Sequence, residues 1–405
     1  MFKSLKAQGA LGITLAAAGI LMITMGARQS IGLFVGPINT STGLGIATIS
    51  FALAIAQFTW GAVQPLAGAA ADRWGPRAVL IGGVFMLAVG TALTPLMGSG
   101  PGLIFAQGLL VAAGAGAGSF SVLIGAAAQR IPAASRGSAS GVINAGGSLG
   151  QFVFAPVAQK LIQLVGWMGA MYTLAVMALL ALPLIGRVTK GGSTAHAAAE
   201  AAPDGGLRRA VKEAMGDRSY LLLHLGFFTC GFHIAFLVTH LPTEVDLCGL
   251  PPSVASWSLA LIGLANIVGS LAVGHLVSQY RSKMILALMY ASRAVLIVWY
   301  LAMPREAWVF YVFAVGLGLT WLATVPPTAG LCAKLFGVRY LGTLFGLTLL
   351  THQIGGFLGA WLGGLAITSF GDYTWMWWAD IALALLAAVL NLPIREARVR
   401  QVAAA

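Results

Sequence analysis

The sequence contains few charged side chains and little cysteine. Only 8% of its 405 residues are charged and 59% are hydrophobic, whereas soluble domains carry about 25% charged residues. A soluble fold of this size would expose too much apolar surface, but a lipid bilayer solvates such surface. The three cysteines, Cys230, Cys248 and Cys332, lie in separate segments, which excludes a disulfide framework or a zinc ribbon. The composition therefore indicates an all-α membrane protein.

Catalytic motifs are missing from the sequence as well. There is no GxxxxGK[ST] loop, so ATP does not drive this protein directly. A membrane enzyme is not supported, because HExxH motifs, Ser/His/Asp arrangements and paired carboxylates at membrane depth are absent. A solute sensor built on a transporter fold would need a sizeable soluble signalling domain, and the tail after the last apolar run is short. We therefore expect neither an enzyme nor a cofactor.

Apolar runs long enough to cross a bilayer are abundant. A spanning helix needs about 20 such residues. The twelve candidates lie at residues 8–37, 46–70, 78–97, 102–129, 137–164, 167–187, 220–243, 253–277, 284–302, 306–333, 340–368 and 374–394. Lys3 and Lys6 precede the first run as in a signal peptide, but that run continues to about Pro37, beyond an h-region of about 7–15 residues. We expect a retained first helix.

The basic residues indicate how the chain crosses the membrane. With the N-terminus in the cytoplasm, every Lys and Arg in a predicted loop lies on the cytoplasmic side except Lys160 and Arg305. This is the bias that sets the orientation of membrane proteins. It predicts both termini in the cytoplasm of a bacterial cell, with the helices in the inner membrane. It also accounts for the net charge of +12 without a nucleic-acid partner.

A polar stretch at 188–219 divides the chain into residues 1–187 and 220–405, with six predicted helices each. Within it, LRRAVKEAM could form an amphipathic helix on the membrane surface, or the stretch could be a partly disordered linker. The two halves share landmarks at a nearly constant offset of 206 to 208 residues. GAAADRWGPR begins at Gly68 and GHLVSQYRSK at Gly274, and Trp167 and Trp375 open the sixth and twelfth helices. Such parallel repeats place a solute site between the halves, near the bilayer midplane.

The loop after the second helix resembles the G-x-x-x-D-R-x-G-x-R motif of the major facilitator superfamily. The matching residues are Gly68, Asp72, Arg73, Gly75 and Arg77, and the second copy departs from the motif at Ser278. The resemblance covers the whole chain and implies twelve transmembrane helices in two six-helix bundles. It also implies that Asp72, Arg73 and Arg77 take part in gating the cytoplasmic face, with a weaker or different latch in the second half.

Within that superfamily, four segments resemble the bacterial branch of the monocarboxylate porters and oxalate/formate antiporters: ARQSIGLFVGPI, INAGGSLGQFVFAPVAQ, GFHIAFLVTHLP and THQIGGFLGAWLGG. The G-P-x-x-G-G pattern of drug–proton antiporters is missing from the fifth helix. One departure matters, because animal monocarboxylate porters hold the carboxylate with an Arg in the eighth helix, where this chain has Ser270. Carboxylate transport is therefore not implied unchanged.

Charged residues inside a membrane segment are costly and are functional candidates by default. Arg28 lies in the first helix, and no acidic residue occurs in the predicted spanning segments of the first half. Arg can hold a carboxylate with two parallel hydrogen bonds, so we expect Arg28 to bind an anionic group of the solute. The alternative is a structural Arg held by helix carbonyls and by amides such as Gln57 or Gln151.

Arg293 and Asp380 are the other two strongly ionic residues at membrane depth. By helix rise they lie about 15 and 20 Å from the predicted cytoplasmic surface. We expect a buried structural ion pair between them, direct or through one intermediary. Participation of Asp380 in proton coupling is the alternative.

Polar side chains at helical spacing fill out the candidate cavity. The predicted solute-binding residues besides Arg28 are Gln57, Asn144, Gln151, His233, Asn266 and His352. His233, His240 and His352 are also proton-coupling candidates, because His titrates near neutral pH. Plain packing is the alternative for each of these side chains, since polar residues often join membrane helices. A soft metal site at Cys230, His233 and His240 lacks further ligands, so we expect no metal.

These observations predict a secondary transporter that works by alternating access. We expect it to move a small organic anion, with a monocarboxylate favoured, coupled to protons or to another anion. The alternative is proton-driven efflux of a drug or metabolite. The expected partners are the solute and the lipid bilayer, and we expect a monomer.

Overall fold

The computed structural model describes residues 10–128, 130, 133–189, 206–336 and 341–396. Eleven stretches within them are long and apolar enough to cross a membrane. One of these, Gly141–Thr189, has 49 residues, about twice what one crossing needs. It bends at Gly166, whose φ of 73° lies in the left-handed region that residues with a side chain avoid. It therefore supplies two helices, and the predicted twelve are confirmed.

The twelve crossing helices are named α1 to α12 in chain order. The first six are α1 (Leu11–Gln29, continued by Gly32–Thr42), α2 (Ile46–Trp74), α3 (Pro76–Leu93), α4 (Gly100–Leu103, Ile104–Val111, Ala112–Ala117 and Phe120–Ala128), α5 (133–165) and α6 (167–179 and Leu182–Thr189). The second six are α7 (Arg218–Leu247), α8 (Pro252–Gln279), α9 (Ser282–Ala302), α10 (Ala307–Thr320 and Val325–Phe336), α11 (Leu341–Phe370) and α12 (Thr374–Asn391).

A short helix, Gly206–Met215, precedes α7. It lies within the predicted linker and buries Ala214 in a cluster with side chains of α7 and α10, including Tyr220 and Leu331. Residues 190–205 of the linker are outside the described residues. The predicted domain limits at 187 and 220, and the cytoplasmic position of the termini, stay predictions.

Corresponding helices of the two halves pack through the same device, a pair of glycines four residues apart. In α5, Gly146 and Gly150 lie against α1, where an added Cβ would stand 2.4 and 2.1 Å from backbone carbonyl oxygens. In α11, Gly355 and Gly359 lie against α7, with Cβ distances of 2.1 and 2.2 Å to carbonyl oxygens. Such small-residue pairs let membrane helices approach closely. The internal repeat of the sequence is thus also a repeat of packing.

The two halves meet along α2–α11 and α5–α8. On one side Gly61 of α2 faces the side chain of Gln353 on α11, and on the other Gly263 of α8 faces Gln151 on α5. Each half therefore offers one glycine and one glutamine to the other. This boundary, which we call the seam, positions the candidate site.

Four helices are interrupted along their length: α1 at residues 30–31, α4 at 118–119, α6 at 180–181 and α10 at 321–324. In α10 the interruption precedes Pro326 and Pro327, which have no N–H to continue the helical hydrogen bonds. In α1 the hydroxyl of Ser30 donates to the carbonyl of Gly26 at 2.9 Å, a local bond that competes with regular helix. Discontinuous helices in transporters expose backbone groups at solute sites, so these interruptions indicate where a solute site is to be sought.

Candidate functional site

Arg28 lies in the last turn before the interruption of α1. Its Nη2 donates to Oε1 of Gln57 on α2, and its Cζ lies 4.4 Å from the ring centroid of Trp60. None of the ion pairs among the described residues includes Arg28. The arrangement holds the guanidinium against an aromatic face and leaves most of its N–H groups without an acceptor in the described part of the chain.

A cavity of about 30 Å³ lies beside Arg28 and Gln57. It extends between α1, α2, α3, α4 and α6, and its polar wall includes Thr91 and Gln107. Gln107 lies in the π-helical segment Ile104–Val111, a distortion often found at functional sites, and donates to the hydroxyl of Thr94 at 2.8 Å. The volume has room for a water molecule or two but not for an organic solute.

The second half contributes His352 and Gln353 of α11 at the same level of the seam. An added Cβ on Gly61, one turn after Gln57, would stand 2.5 Å from Cγ of Gln353. The Nε2 of Gln353 donates to Nδ1 of His352 at 2.8 Å. Oε1 of Gln353 and Nε2 of His352 are buried and have no hydrogen-bond partner among the described residues. Gln353 therefore lies beside His352 at the candidate site, and the sequence analysis missed it.

Asn144 and Asn266 form a hydrogen-bonded cluster across the α5–α8 seam. Nδ2 of Asn266 donates to Oγ of Ser148 at 2.7 Å, and Nδ2 of Asn144 donates to Oγ of Ser270 at 3.4 Å. Oδ1 of Asn266 also accepts from the backbone N–H of Leu322 at 3.0 Å, in the interruption of α10. These groups join the two halves in this conformation, which favours the packing alternative over solute binding for both asparagines.

Gln151, the remaining predicted solute-binding amide, is fully buried in the α5–α8 seam. An added Cβ on Gly263 would stand 3.0 Å from its Cβ. Its Nε2 has no hydrogen-bond partner among the described residues. Gln151 therefore keeps a free donor at the boundary between the halves, and its role in binding stays a prediction.

Asp380 pairs with a histidine in the interior of the second half. Nδ1 of His233 on α7 is hydrogen-bonded to Oδ2 of Asp380 on α12, and both side chains are buried. Arg293 takes part in none of the ion pairs among the described residues. The predicted direct Arg293–Asp380 pair is therefore wrong, and His233 occupies the place that Arg293 was expected to hold. A pair formed through one intermediary stays a prediction.

Arg293 instead caps the interrupted end of α10. Its Nη2 donates to the carbonyl of Trp321 at 2.7 Å and to the carbonyl of Thr320, and its Nε donates to Oγ1 of Thr320 at 3.2 Å. Its Nη1 also contacts Sγ of Cys230 at 3.4 Å. A basic side chain at a helix C-terminus satisfies carbonyls that have lost their intrahelical donors. This is the physical reason why Arg293 turns to α10 and not to Asp380.

His240 has partners at both ring nitrogens. Nε2 lies 2.8 Å from the carbonyl oxygen of Ala360, and the hydroxyl of Tyr373 lies 3.1 Å from Nδ1. A neutral ring that donates from Nε2 and accepts at Nδ1 satisfies both bonds. The packing alternative suits this residue, and its part in proton coupling stays a prediction. Among the described residues, no group of three or more His, Cys, Asp or Glu side chains is arranged to hold a metal ion.

The predicted gating residues are only partly visible. The side chains of Asp72 and Arg73 lie outside the described residues. Arg77 is exposed in the first turn of α3. The gating role of all three stays a prediction.

Glu244 is a buried carboxylate that the sequence analysis missed. It lies in the last turn of α7, accepts a hydrogen bond from the hydroxyl of Tyr300 at 2.8 Å and has Nη1 of Arg305 at 3.8 Å. The guanidinium of Arg305 in turn stacks on the ring of Tyr300, with Cζ 4.4 Å from the ring centroid. The predicted seventh helix ended at residue 243, one position before this side chain. A longer helix in the sequence analysis would have included Glu244 among the membrane charges.

Comparison with known proteins agrees with this architecture. The profile described as Major Facilitator Superfamily matches residues 17–360 and 249–404. Monocarboxylate transporter 13 of Rattus norvegicus is 25% identical over 80% of this chain and 74% of its own length. The Chloramphenicol resistance protein of Streptomyces lividans is 27% identical over 81% of this chain and 87% of its own. The crystal structure of a D-xylose-proton symporter shares the fold, with a TM-score of 0.76 and 16% identity over 95% of this chain and 98% of that one.

Proposed function

We propose that this chain, a member of the Major Facilitator Superfamily, carries a small organic anion. As a member of that family it is a multi-pass membrane transporter rather than an enzyme. A monocarboxylate is the favoured solute. The observation that carries the proposal is the guanidinium of Arg28, which is held by Gln57 and Trp60 and has no carboxylate partner among the described residues. A cation at this depth is costly unless an anion accompanies it.

The geometry suits a planar carboxylate. Gln57 and the ring of Trp60 restrict the guanidinium, so that its remaining N–H groups can donate to both oxygens of one carboxylate. Nε1 of Trp60 is buried without a partner among the described residues and offers a further donor. His352 and Gln353 contribute the second half of the site, so that the solute would be enclosed when the halves close.

The proposed setting follows from the loops. We place the protein in the bacterial inner membrane as a monomer. Both termini are placed in the cytoplasm, because the basic loop residues then lie on the cytoplasmic side, where they are normally found. The proposed domains are residues 1–187 and 220–405 with a linker at 188–219. Transport would proceed by rocking of the two halves about the seam, driven by protons or by exchange for another anion.

Efflux of a drug is the second candidate. The similarity to the Streptomyces lividans protein favours it, because that relative is named for chloramphenicol resistance. Arg28 has no carboxylate partner in the part of the chain that the structure describes. This argues against efflux, since a neutral or cationic drug would leave Arg28 without an anion.

A thermal-shift screen of the purified protein tests the proposal. Lactate, pyruvate, formate and oxalate are each compared with a neutral amide of similar size, for example lactamide for lactate. We expect at least one carboxylate to stabilise the protein, its amide to have no effect, and Arg28→Gln to abolish the stabilisation. Lys160→Gln removes a positive charge at an exposed position and should respond as wild type. Stabilisation by chloramphenicol or hydrophobic cations alone would support efflux and overturn the proposal.

A further inference from the structure

We infer that the buried His233–Asp380 pair is a proton-binding site, separate from the anion site at Arg28, through which a proton gradient drives transport. The inference rests on the proposed function, because it supplies the coupling ion for the same transport cycle. It concerns a different half of the molecule, and it can fail or succeed independently of Arg28.

The pair has the geometry of a site that can gain and lose a proton. One nitrogen of His233 and one oxygen of Asp380 are joined by a hydrogen bond, while the other two atoms, Nε2 and Oδ1, are buried without partners among the described residues. An ionised Asp380 accepts the bond from Nδ1–H and fixes that tautomer, which leaves the lone pair of Nε2 free. A proton arriving from water forms a new N–H bond at Nε2 and is released from the same atom on the other side of the membrane.

Few titratable or charged groups of the described residues lie near this pair. On α7 the neighbour is Cys230, and on α9 they are Arg293 and Tyr290, whose ring lies 5.5 Å from Cζ of Arg293. The ring of Trp321 on α10 lies 6.0 Å from the ring of His233. On α11 the titratable residue at this level is His352, whose ring packs at an angle against Phe227 with a distance of 4.7 Å between the ring centroids. Arg293 is thus the fixed charge of the cluster, and it is bound to carbonyls of α10 and not to Asp380.

The charges of the cluster suit symport. With Asp380 ionised, His233 neutral and Arg293 charged, the three side chains together carry no net charge. Binding one proton adds a positive charge, and binding a monocarboxylate at Arg28 cancels one. The total buried charge is therefore the same in the empty and the fully loaded protein, which matters because an uncompensated buried charge is expensive.

A direct contact links the two sites. On α7, the carbonyl of Val238 lies against Gly32 of α1, where an added Cβ would stand 2.0 Å from the oxygen. Val238 follows His233 by five residues on α7, which is a helix rise of about 7.5 Å. Gly32 follows Arg28 by four residues on α1, directly after the interruption at residues 30–31. A movement of α7 caused by protonation of His233 is therefore transmitted to the helix that carries the anion anchor.

Tryptophan fluorescence tests proton binding without any solute. A charged imidazole beside Trp321 should quench its emission as the pH falls. We expect this pH-dependent quenching in the wild type and its loss in Trp321→Phe, in His233→Gln and in Asp380→Asn, where no carboxylate stabilises the charged ring. Asp372→Asn removes an exposed carboxylate and serves as the matched control. A quenching curve that is unchanged in Asp380→Asn would overturn the inference.

Transport by proteoliposomes tests coupling, with the carboxylate that gives the largest thermal shift as the probe. We expect Asp380→Asn to lose accumulation driven by an imposed pH gradient and to retain exchange of internal for external solute. Asp380→Glu should restore part of the accumulation, which a role in folding alone would not explain. Accumulation by Asp380→Asn at the wild-type level would contradict the inference. Failure of Arg28→Gln to change binding would instead contradict the proposed function and leave the fluorescence result to decide the proton site.

Discussion

Replacing Gly231 by alanine tests the helix contact that places His233 and His352. Gly231 lies where α7 crosses α11, and an added Cβ would stand 1.6 Å from the carbonyl oxygen of His352 and 2.6 Å from its carbonyl carbon. Those atoms belong to the backbone of a helix and cannot rotate away. The two helices would have to separate by nearly 2 Å, and overpacking of this kind costs about 1–3 kcal/mol or more.

The assay is thermal denaturation of the detergent-purified protein, followed by size-exclusion chromatography. For a chain of 405 residues, an unfolding entropy of about 2.1 cal/mol/K per residue converts a loss of about 3 kcal/mol into a fall of roughly 3–4 °C in the midpoint. Gly346→Ala on α11 is the matched control, because an added Cβ there has nothing within 4 Å. Alanine should even favour that helix by about 1 kcal/mol. Equal midpoints for Gly231→Ala and wild type would refute the packing of α7 on α11.

Three further predictions concern single charged side chains. Arg28→Lys keeps the charge but loses the bidentate geometry. We therefore expect titration calorimetry to show a fall in carboxylate affinity of about 10- to 100-fold, because the lost hydrogen bond contributes about 1.5–3 kcal/mol. Arg293→Met leaves the carbonyls at the interruption of α10 without donors, and we expect destabilisation of about 1–3 kcal/mol per carbonyl in thermal denaturation, whereas wild-type stability would contradict the capping role. Burial raises the pKa of Glu396, but hydrogen bonds from Lys334 and from the N–H groups of Ser282 and Lys283 outweigh it and leave the pKa below its ordinary value. The contribution of Glu396 to stability is therefore present above the ordinary carboxyl pKa and is lost as the pH falls through the lowered pKa. Glu396→Gln should flatten the acid side of the curve of stability against pH. An unchanged curve would contradict this prediction.

The helix count and the repeat could be predicted because both depend on local sequence. A run of about 20 apolar residues spans a bilayer wherever it occurs, and motif copies at a constant offset reveal a repeat without tertiary information. The glycine pairs that pack α5 on α1 and α11 on α7 were not among those landmarks. Arg28 could also be found from the sequence, because an Arg in an apolar run without acidic neighbours is unusual whatever the tertiary structure.

The partners of the buried groups could not be predicted in this way. Helix rise predicts the depth of a residue in the membrane, but the pairing of Asp380 depends on which helix faces meet. Arg293 lies at a similar depth, yet the interruption of α10 supplies carbonyls that bind it more closely. Gln353 was missed because it directly follows His352, and adjacent residues of a helix point to different faces. Glu244 was missed because the end of α7 was predicted too early.

The most direct test of the central claim is a structure of the protein with the carboxylate that stabilises it most. The account predicts that the carboxylate binds the guanidinium of Arg28 through both oxygens, beside Trp60, with His352 and Gln353 facing the rest of the solute. A carboxylate bound elsewhere, with Arg28 still held only by Gln57, would contradict it.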